Sequence, residues 1–372
     1  MRKIPLVIPY HNSKIERAII SVLRSRKLVS SNLVKKFEEE LAKYIGCKHV
    51  ICVNSGTAAL HLAFLAIGAN RENEIITSSF SFIASANAIV YTGAKPIFID
   101  INERTYNIDI EKIEELINEK TLAIEPVHLY GQPCEMDKIM EIANKYGLIV
   151  IEDAAQAIGA EYDGKKIGSI GDITCFSTYA TKNLHTGEGG FIATNNDEYA
   201  EKIRILRDQG QNGKYNHVMI GYNYRMTEIQ AAIGIIQLKE IDKLNKIRIR
   251  NAEYLTKRLK EIDGIITPYI HPKAKHVFHQ YVIQIDEEKI GLNRDKLREL
   301  LMNKGIETAI HYPKPIPLQP IYKELFNYKE GMFPIAEKIS KRILSLPVNP
   351  FLKIKDLDYI ANTIEKILLK NF

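Results

Sequence analysis

Cys175-Phe176-Ser177-Thr178-Tyr179-Ala180-Thr181-Lys182-Asn183-Leu184-His185-Thr186-Gly187-Glu188-Gly189-Gly190 is the stretch on which the fold turns. The apolar run Ile173 to Phe176 predicts a short strand that ends in small hydroxyl residues. A second strand is expected at Phe191 to Thr194, after a glycine-rich turn. Lys182 sits between the two, flanked by Thr181 and Asn183. A lysine held by small polar groups between two strands suits a partly desolvated amine. Such an amine is neutral near pH 7 often enough to form a Schiff base with a carbonyl. A surface-loop lysine beside a hairpin is the alternative for this stretch taken alone.

Outward from it, strands and helices alternate. Strands are expected at Val50–Val53, Glu74–Thr77, Pro96–Asp100, Leu122–Val127 and Leu148–Glu152. Helices are expected at Ala58–Ile67, Ile83–Val90, Ile110–Ile117, Met136–Tyr146 and Asp197–Arg207. This alternation predicts an α/β fold with a mostly parallel sheet covered on both faces. Residues 1 to 46 read as an arm and two helices. Polar, aromatic residues 210 to 224 form a long loop, and a long helical region from Thr227 to Ile262 breaks near Ile241. Beyond Gly264 a smaller α/β unit follows. The expected division is residues 1–240, an arm and a large domain, and 241–372, a linking helix and a small C-terminal domain.

The 372 residues suffice for two domains. Hydrophobic residues make up 45% and charged residues 26%, an ordinary globular balance. A net charge of +6, dispersed along the chain, permits small anionic ligands and gives no nucleic-acid signature. Cys47, Cys52, Cys134 and Cys175 lack metal-site or redox spacing and read as reduced thiols in a cytoplasmic protein. No apolar run approaches a membrane span, and no metal or membrane partner is expected.

Three strand ends carry chemistry. Ser55-Gly56-Thr57 enters a helix, where free amides, two hydroxyls and the helix dipole suit a phosphate, although a plain helix cap explains the same residues. Asp153 ends the apolar strand Ile149-Val150-Ile151-Glu152 and needs a cationic partner or a capping role. Gln156 follows three residues later, at the expected start of a helix. Lys182 is the third. A phosphate cradle, a buried carboxylate and a desolvated lysine are the three anchors of pyridoxal 5′-phosphate (PLP).

Ser55-Gly56-Thr57-Ala58-Ala59-Leu60, Glu152-Asp153-Ala154-Ala155-Gln156 and Thr181-Lys182-Asn183-Leu184 with Gly187-Glu188-Gly189-Gly190 resemble the DegT/DnrJ/EryC1/StrS family of PLP-dependent nucleotide-sugar aminotransferases. Tyr222-Asn223-Tyr224-Arg225-Met226-Thr227-Glu228-Ile229-Gln230 is similar to another signature of that family. The resemblance implies PLP fold type I, with a mainly parallel seven-stranded sheet, and a homodimer with shared active sites. By the same resemblance Lys182 bonds the cofactor, Asp153 faces the pyridine nitrogen and Gln156 the ring hydroxyl. Gly56, Thr57, Ala58 and Ser177 contact the phosphate. Phe82 stacks on the ring, with Phe80 the competing choice. Asn223 crosses to the partner's cofactor, and His311 and Tyr312 lie near the sugar.

The implied reaction passes an amino group from glutamate to a nucleoside-diphosphate keto-sugar. A PLP-dependent sugar dehydratase is the alternative, but such relatives replace the cofactor lysine by histidine. A non-catalytic PLP-binding regulator lacks a supporting helix-turn-helix or basic stripe, and a dinucleotide-binding enzyme lacks its glycine fingerprint. Glu188, His128 and His185 read as structural, and Arg225 and Lys214 as solvated loop cations ahead of a role toward a diphosphate.

Overall fold

The computed structural model describes residues 2–29 and 31–369. Seven strands form the main sheet. From one edge they run His49–Val53, Gly190–Thr194, Ile173–Ser177, Ile149–Asp153, Thr121–Glu125, Glu74–Ser78 and Lys95–Ile99. The last five are mutually parallel, and Gly190–Thr194 runs antiparallel to both of its neighbours. That reversal matters. It brings Gly190 to the rim where Val53, Ser177 and Asp153 end, so four strands deliver residues to one place.

Period-two alternation assigns the two faces. Ile51, Ile75, Ala123, Ile151, Ile173 and Ile192 pack with the helices Gly56–Ala66 and Asp197–Arg207. Val50, Ile76, Ile124, Val150 and Phe176 face the other way, onto Phe37 and Leu41 of Asn32–Ile45, Ile139 of Met136–Tyr146 and Ile235 of Glu228–Leu238. The helix Gly56–Ala66 has eight buried residues and is apolar nearly all round. A helix of that composition needs protein on every side.

The helical region after Thr227 breaks as expected, into Glu228–Leu238 and Ile241–Leu259. The second helix packs on an antiparallel sheet of Ile265–Ile266, Tyr281–Ile285 and Ile343–Leu346. Leu297, Leu301, Ile360 and Ile364 complete that core, with Ile4 contributed by the N-terminal arm. An aromatic cluster joins this unit to the large sheet: Phe80, Phe98, Tyr106 and Tyr130 meet Val282, Tyr322 and Phe333.

Two expected elements differ. Ile110–Ile117 is a 3₁₀ turn, Ile110–Lys112, followed by the short helix Ile113–Leu116. Only Ile110 and Ile113 are buried there, too little apolar surface to anchor a longer helix. No helix begins at Gln156. The Ala154 amide continues the sheet ladder to the Cys175 carbonyl, and two successive turns close from Ala157 to Ala154 and from Ala160 to Ala157. Gln156 is held instead through its side chain, by the Tyr130 amide and Tyr312.

Candidate active site

At the rim lies a cavity of about 420 Å³, within the range typical of small-molecule sites. Gly56, Thr57, Phe82, Asp153, Gln156, Ser177, Lys182, His311 and Tyr312 all line it. The structure therefore gathers nine of the eleven residues singled out in the sequence. Ala58 and Asn223 are not among its lining.

Lys182 follows a tight turn, its amide donating to the Tyr179 carbonyl at 2.8 Å. Burial pushes its ammonium down to about 8, while the charge of Asp153 pulls the other way. Desolvation wins, because no carboxylate forms an ion pair with this amine among the described residues.

Asp153 is 6% exposed. Its Oδ1 accepts from the Ala155 amide at 3.0 Å and its Oδ2 from Ser85 Oγ at 2.8 Å. Each oxygen thus has one protein donor and keeps a lone pair for a cationic group in the cavity. Both readings of this residue hold together: it caps a turn and it faces a ligand space. Gln156 is fixed at both ends. Its Oε1 accepts from the Tyr130 amide at 2.7 Å, and its Nε2 donates to Tyr312 Oη at 3.1 Å. Tyr130 Oη in turn donates to the His311 carbonyl, and His311 Nδ1 meets Ser345 Oγ at 2.8 Å. Burial pushes the His311 imidazolium down to about 4, with the Lys182 charge adding to the effect, so the ring is neutral at physiological pH.

The phosphate-sized end is built on close approach. A Cβ placed on Gly56 would fall 2.8 Å from Ser177 Cβ, so only glycine lets this helix start against that strand. Ser55 Oγ accepts from the Ala58 amide at 3.0 Å and caps the helix. The Gly56 and Thr57 amides have no acceptor among the described residues and lie at the positive end of the helix.

Phe80 and Phe82 separate by burial. Phe80 is fully buried in the aromatic cluster, whereas Phe82 is 56% exposed, lines the cavity and lies 6.0 Å from the Tyr312 ring. Asn223 stands in the 210–224 loop, bridged through its backbone to Asp208, and its side chain has no partner among the described residues.

His128 and His185 make internal bonds, to Glu152 Oε2 at 2.8 Å and to the Tyr10 carbonyl at 3.0 Å. The carbonyl of Glu188 accepts from Thr186 and Gln230. Arg225 is paired with Asp208, and Lys214 lies over the Tyr215 ring. Sequence reasoning missed Ser85, Tyr130 and His279, which reach the site from distant segments and carry no local motif.

A family model described as the DegT/DnrJ/EryC1/StrS aminotransferase family matches residues 9–365. GDP-perosamine synthase of Caulobacter vibrioides is 41% identical, over 90% of this chain and 90% of its own. The crystal structure of S. venezuelae DesV in complex with a ketimine intermediate superposes with a TM-score of 0.92 at 36% identity, covering 96% of this chain and 94% of that one. The PLP-form of Spr1654 from Streptococcus pneumoniae superposes with a TM-score of 0.93 at 27% identity, over the whole of both chains.

Proposed function

This chain belongs to the DegT/DnrJ/EryC1/StrS aminotransferase family, and on that premise we propose that it moves an amino group from glutamate to a keto-sugar carried on a nucleoside diphosphate, with PLP as cofactor. The observation that carries the reading is the buried amine of Lys182, lowered to about 8, sharing one cavity with the Asp153 carboxylate. The site fits the cofactor on its own terms. The glycine cradle of Gly56 against Ser177 leaves backbone room for a phosphate, and the free amides of Gly56 and Thr57 supply donors for it. Ser177 adds a hydroxyl, whereas the Ala58 amide already serves Ser55. A GDP-perosamine synthase among the relatives supports a sugar linked to a nucleoside diphosphate.

PLP, when bound, supplies an aldehyde that bonds amines and a ring that accepts electrons. The protein's part is positioning and proton control. Near pH 8 the Lys182 Nζ is half unprotonated, so it can act as nucleophile and can take a proton from, or return it to, a substrate carbon. Asp153, oriented by Ser85 and Ala155, would hold a proton on the ring nitrogen electrostatically. Gln156, locked by Tyr130 and Tyr312, would present its amide to the ring oxygen. Phe82 offers an aromatic face, and His311 and Tyr312 form the wall toward the sugar.

Asn223, outside the cavity and with no side-chain partner among the described residues, belongs in this reading to the site of a second subunit in a homodimer. The chain divides at 240/241, between the helices Glu228–Leu238 and Ile241–Leu259. The reaction takes place in the cytoplasm. Four free cysteines suit a reducing compartment, and no described helix is long and apolar enough to cross a membrane.

The test is spectroscopic. Purified protein loaded with PLP should show a visible band that changes on adding glutamate and returns on adding a nucleotide keto-sugar from a panel. A band indifferent to every amino donor would refute the assignment.

A further inference from the structure

His279 enters the cavity wall from the C-terminal unit, just before the strand Tyr281–Ile285, and is 7% exposed. Its Nδ1 is buried with no hydrogen-bond partner among the described residues, and none is described for Nε2. An orphaned buried N–H is rarer in proteins than an under-used acceptor, so the single proton belongs on Nε2. A second proton is opposed from every side. Burial is the largest cause, followed by Lys182 from the inter-strand turn, Arg248 from the helix Ile241–Leu259, His311 from the cavity lining and His276 from the same segment. The ring is therefore a neutral donor whose one N–H has no acceptor among the described residues.

What meets that donor follows from position and chemistry. In the reading above, the cofactor contacts from this chain all come from residues 56–182, whereas His279, Gln280 and His311 close the cavity from the C-terminal side. A carboxylate of the amino donor would call for a guanidinium fork. A lone neutral N–H suits a hydroxyl or carbonyl oxygen. We propose that His279 is a specificity-determining residue whose Nε2–H donates to a sugar oxygen beside the carbon that receives nitrogen, so that the enzyme selects keto-sugars bearing a hydroxyl there. The proposal rests on the aminotransferase reading and extends it to the sugar.

Two variants separate this role from a structural one. His279→Phe keeps a planar ring and removes the donor, whereas His279→Gln restores a donor. Each half-reaction is followed separately in the PLP-loaded enzyme, with glutamate and then with a pair of keto-sugars differing only in that hydroxyl. We expect His279→Phe to lose about 10- to 100-fold in kcat/KM for the hydroxylated sugar and to stay within about twofold with glutamate. His279→Gln should recover part of the loss, and the deoxy sugar should be handled alike by wild type and His279→Phe.

Equal losses in both half-reactions, or no loss with the hydroxylated sugar, would overturn the proposal. Independently of turnover, ¹⁵N NMR of the ring at pH 7 should report a neutral imidazole protonated on Nε2, and a proton on Nδ1 or an imidazolium would also overturn it. Failure of the aminotransferase reading looks different: the wild-type band then ignores glutamate altogether.

Discussion

Glu152 and Asp153 are consecutive acids on one strand, and the pleat sends them to opposite faces of the sheet. Glu152, with no exposed surface, is saturated by protein. His128 Nε2 meets its Oε2 at 2.8 Å, and Thr174 Oγ1 and the Gly171 amide meet its Oε1 at 2.7 and 2.8 Å. The fit is tight enough that a Cβ on Gly171 would fall 2.9 Å from that oxygen. The Cys134 amide donates to His128 Nδ1 at 3.0 Å, which places the imidazole proton on Nε2, toward the glutamate. Asp153 has one donor on each oxygen and a cavity in front. Two buried acids of nearly equal exposure thus differ in whether the protein alone completes their hydrogen bonding. Completion makes a structural pin, and incompletion makes a binding group.

Four measurements would break or sharpen that contrast. The largest effect is expected on the cavity side: Lys182→Ala should lower turnover by ~10³-fold or more, given what a positioned acid–base group contributes, with the circular dichroism of the fold retained. Residual turnover near wild type would remove the amine from the chemistry. Next, Asp153→Asn keeps the shape and removes the charge, so kcat should fall by about 10²- to 10³-fold while the melting temperature moves little. A melting change that matches Glu152 variants would put both acids in one structural class.

Third, Glu152→Ala leaves the His128 N–H, the Thr174 hydroxyl and the Gly171 N–H without an acceptor. We expect a loss of ~3 kcal/mol or more in denaturant unfolding, and any kinetic change should track the folded fraction. The smallest effect is in pH. The folded Lys182 amine is depressed to about 8, so its neutral form grows as pH rises through that value. The rate at which the apo-protein takes up PLP should climb roughly fivefold between pH 7 and 8 and level off above about pH 9, as the neutral fraction does. A profile still rising beyond pH 10 would mean that the amine is not desolvated.

Much of this was legible in the linear chain, for a physical reason. Strand and helix periods, the glycine-rich turn and the order Gly56, Asp153, Lys182 are local properties, and all three of these residues line one cavity. Less local features were harder. Ser81-Phe82 repeats Ser79-Phe80, so the sequence left Phe80 as a competitor to Phe82. Burial separates them, because Phe80 is enclosed by the C-terminal unit and Phe82 is left at the rim. The helix expected at Gln156 is absent: the chain makes two successive turns there, and the Gln156 side chain is held by the Tyr130 amide and Tyr312, tertiary bonds that propensity cannot see.

By itself the sequence determined the α/β alternation and the family, and it singled out Gly56, Asp153 and Lys182, since each of these is written in residues close together along the chain. Only the tertiary structure decided which acid of the Glu152–Asp153 pair kept acceptor capacity facing the cavity, and which histidine of the wall has no hydrogen-bond partner among the described residues. Those outcomes depend on groups that arrive from 22 to 97 positions away: the hydrogen-bonding Thr174 for Glu152 and Ser85 for Asp153, and the like charge of Lys182 for His279. Chain crossovers, not local preference, set which side chains share a space.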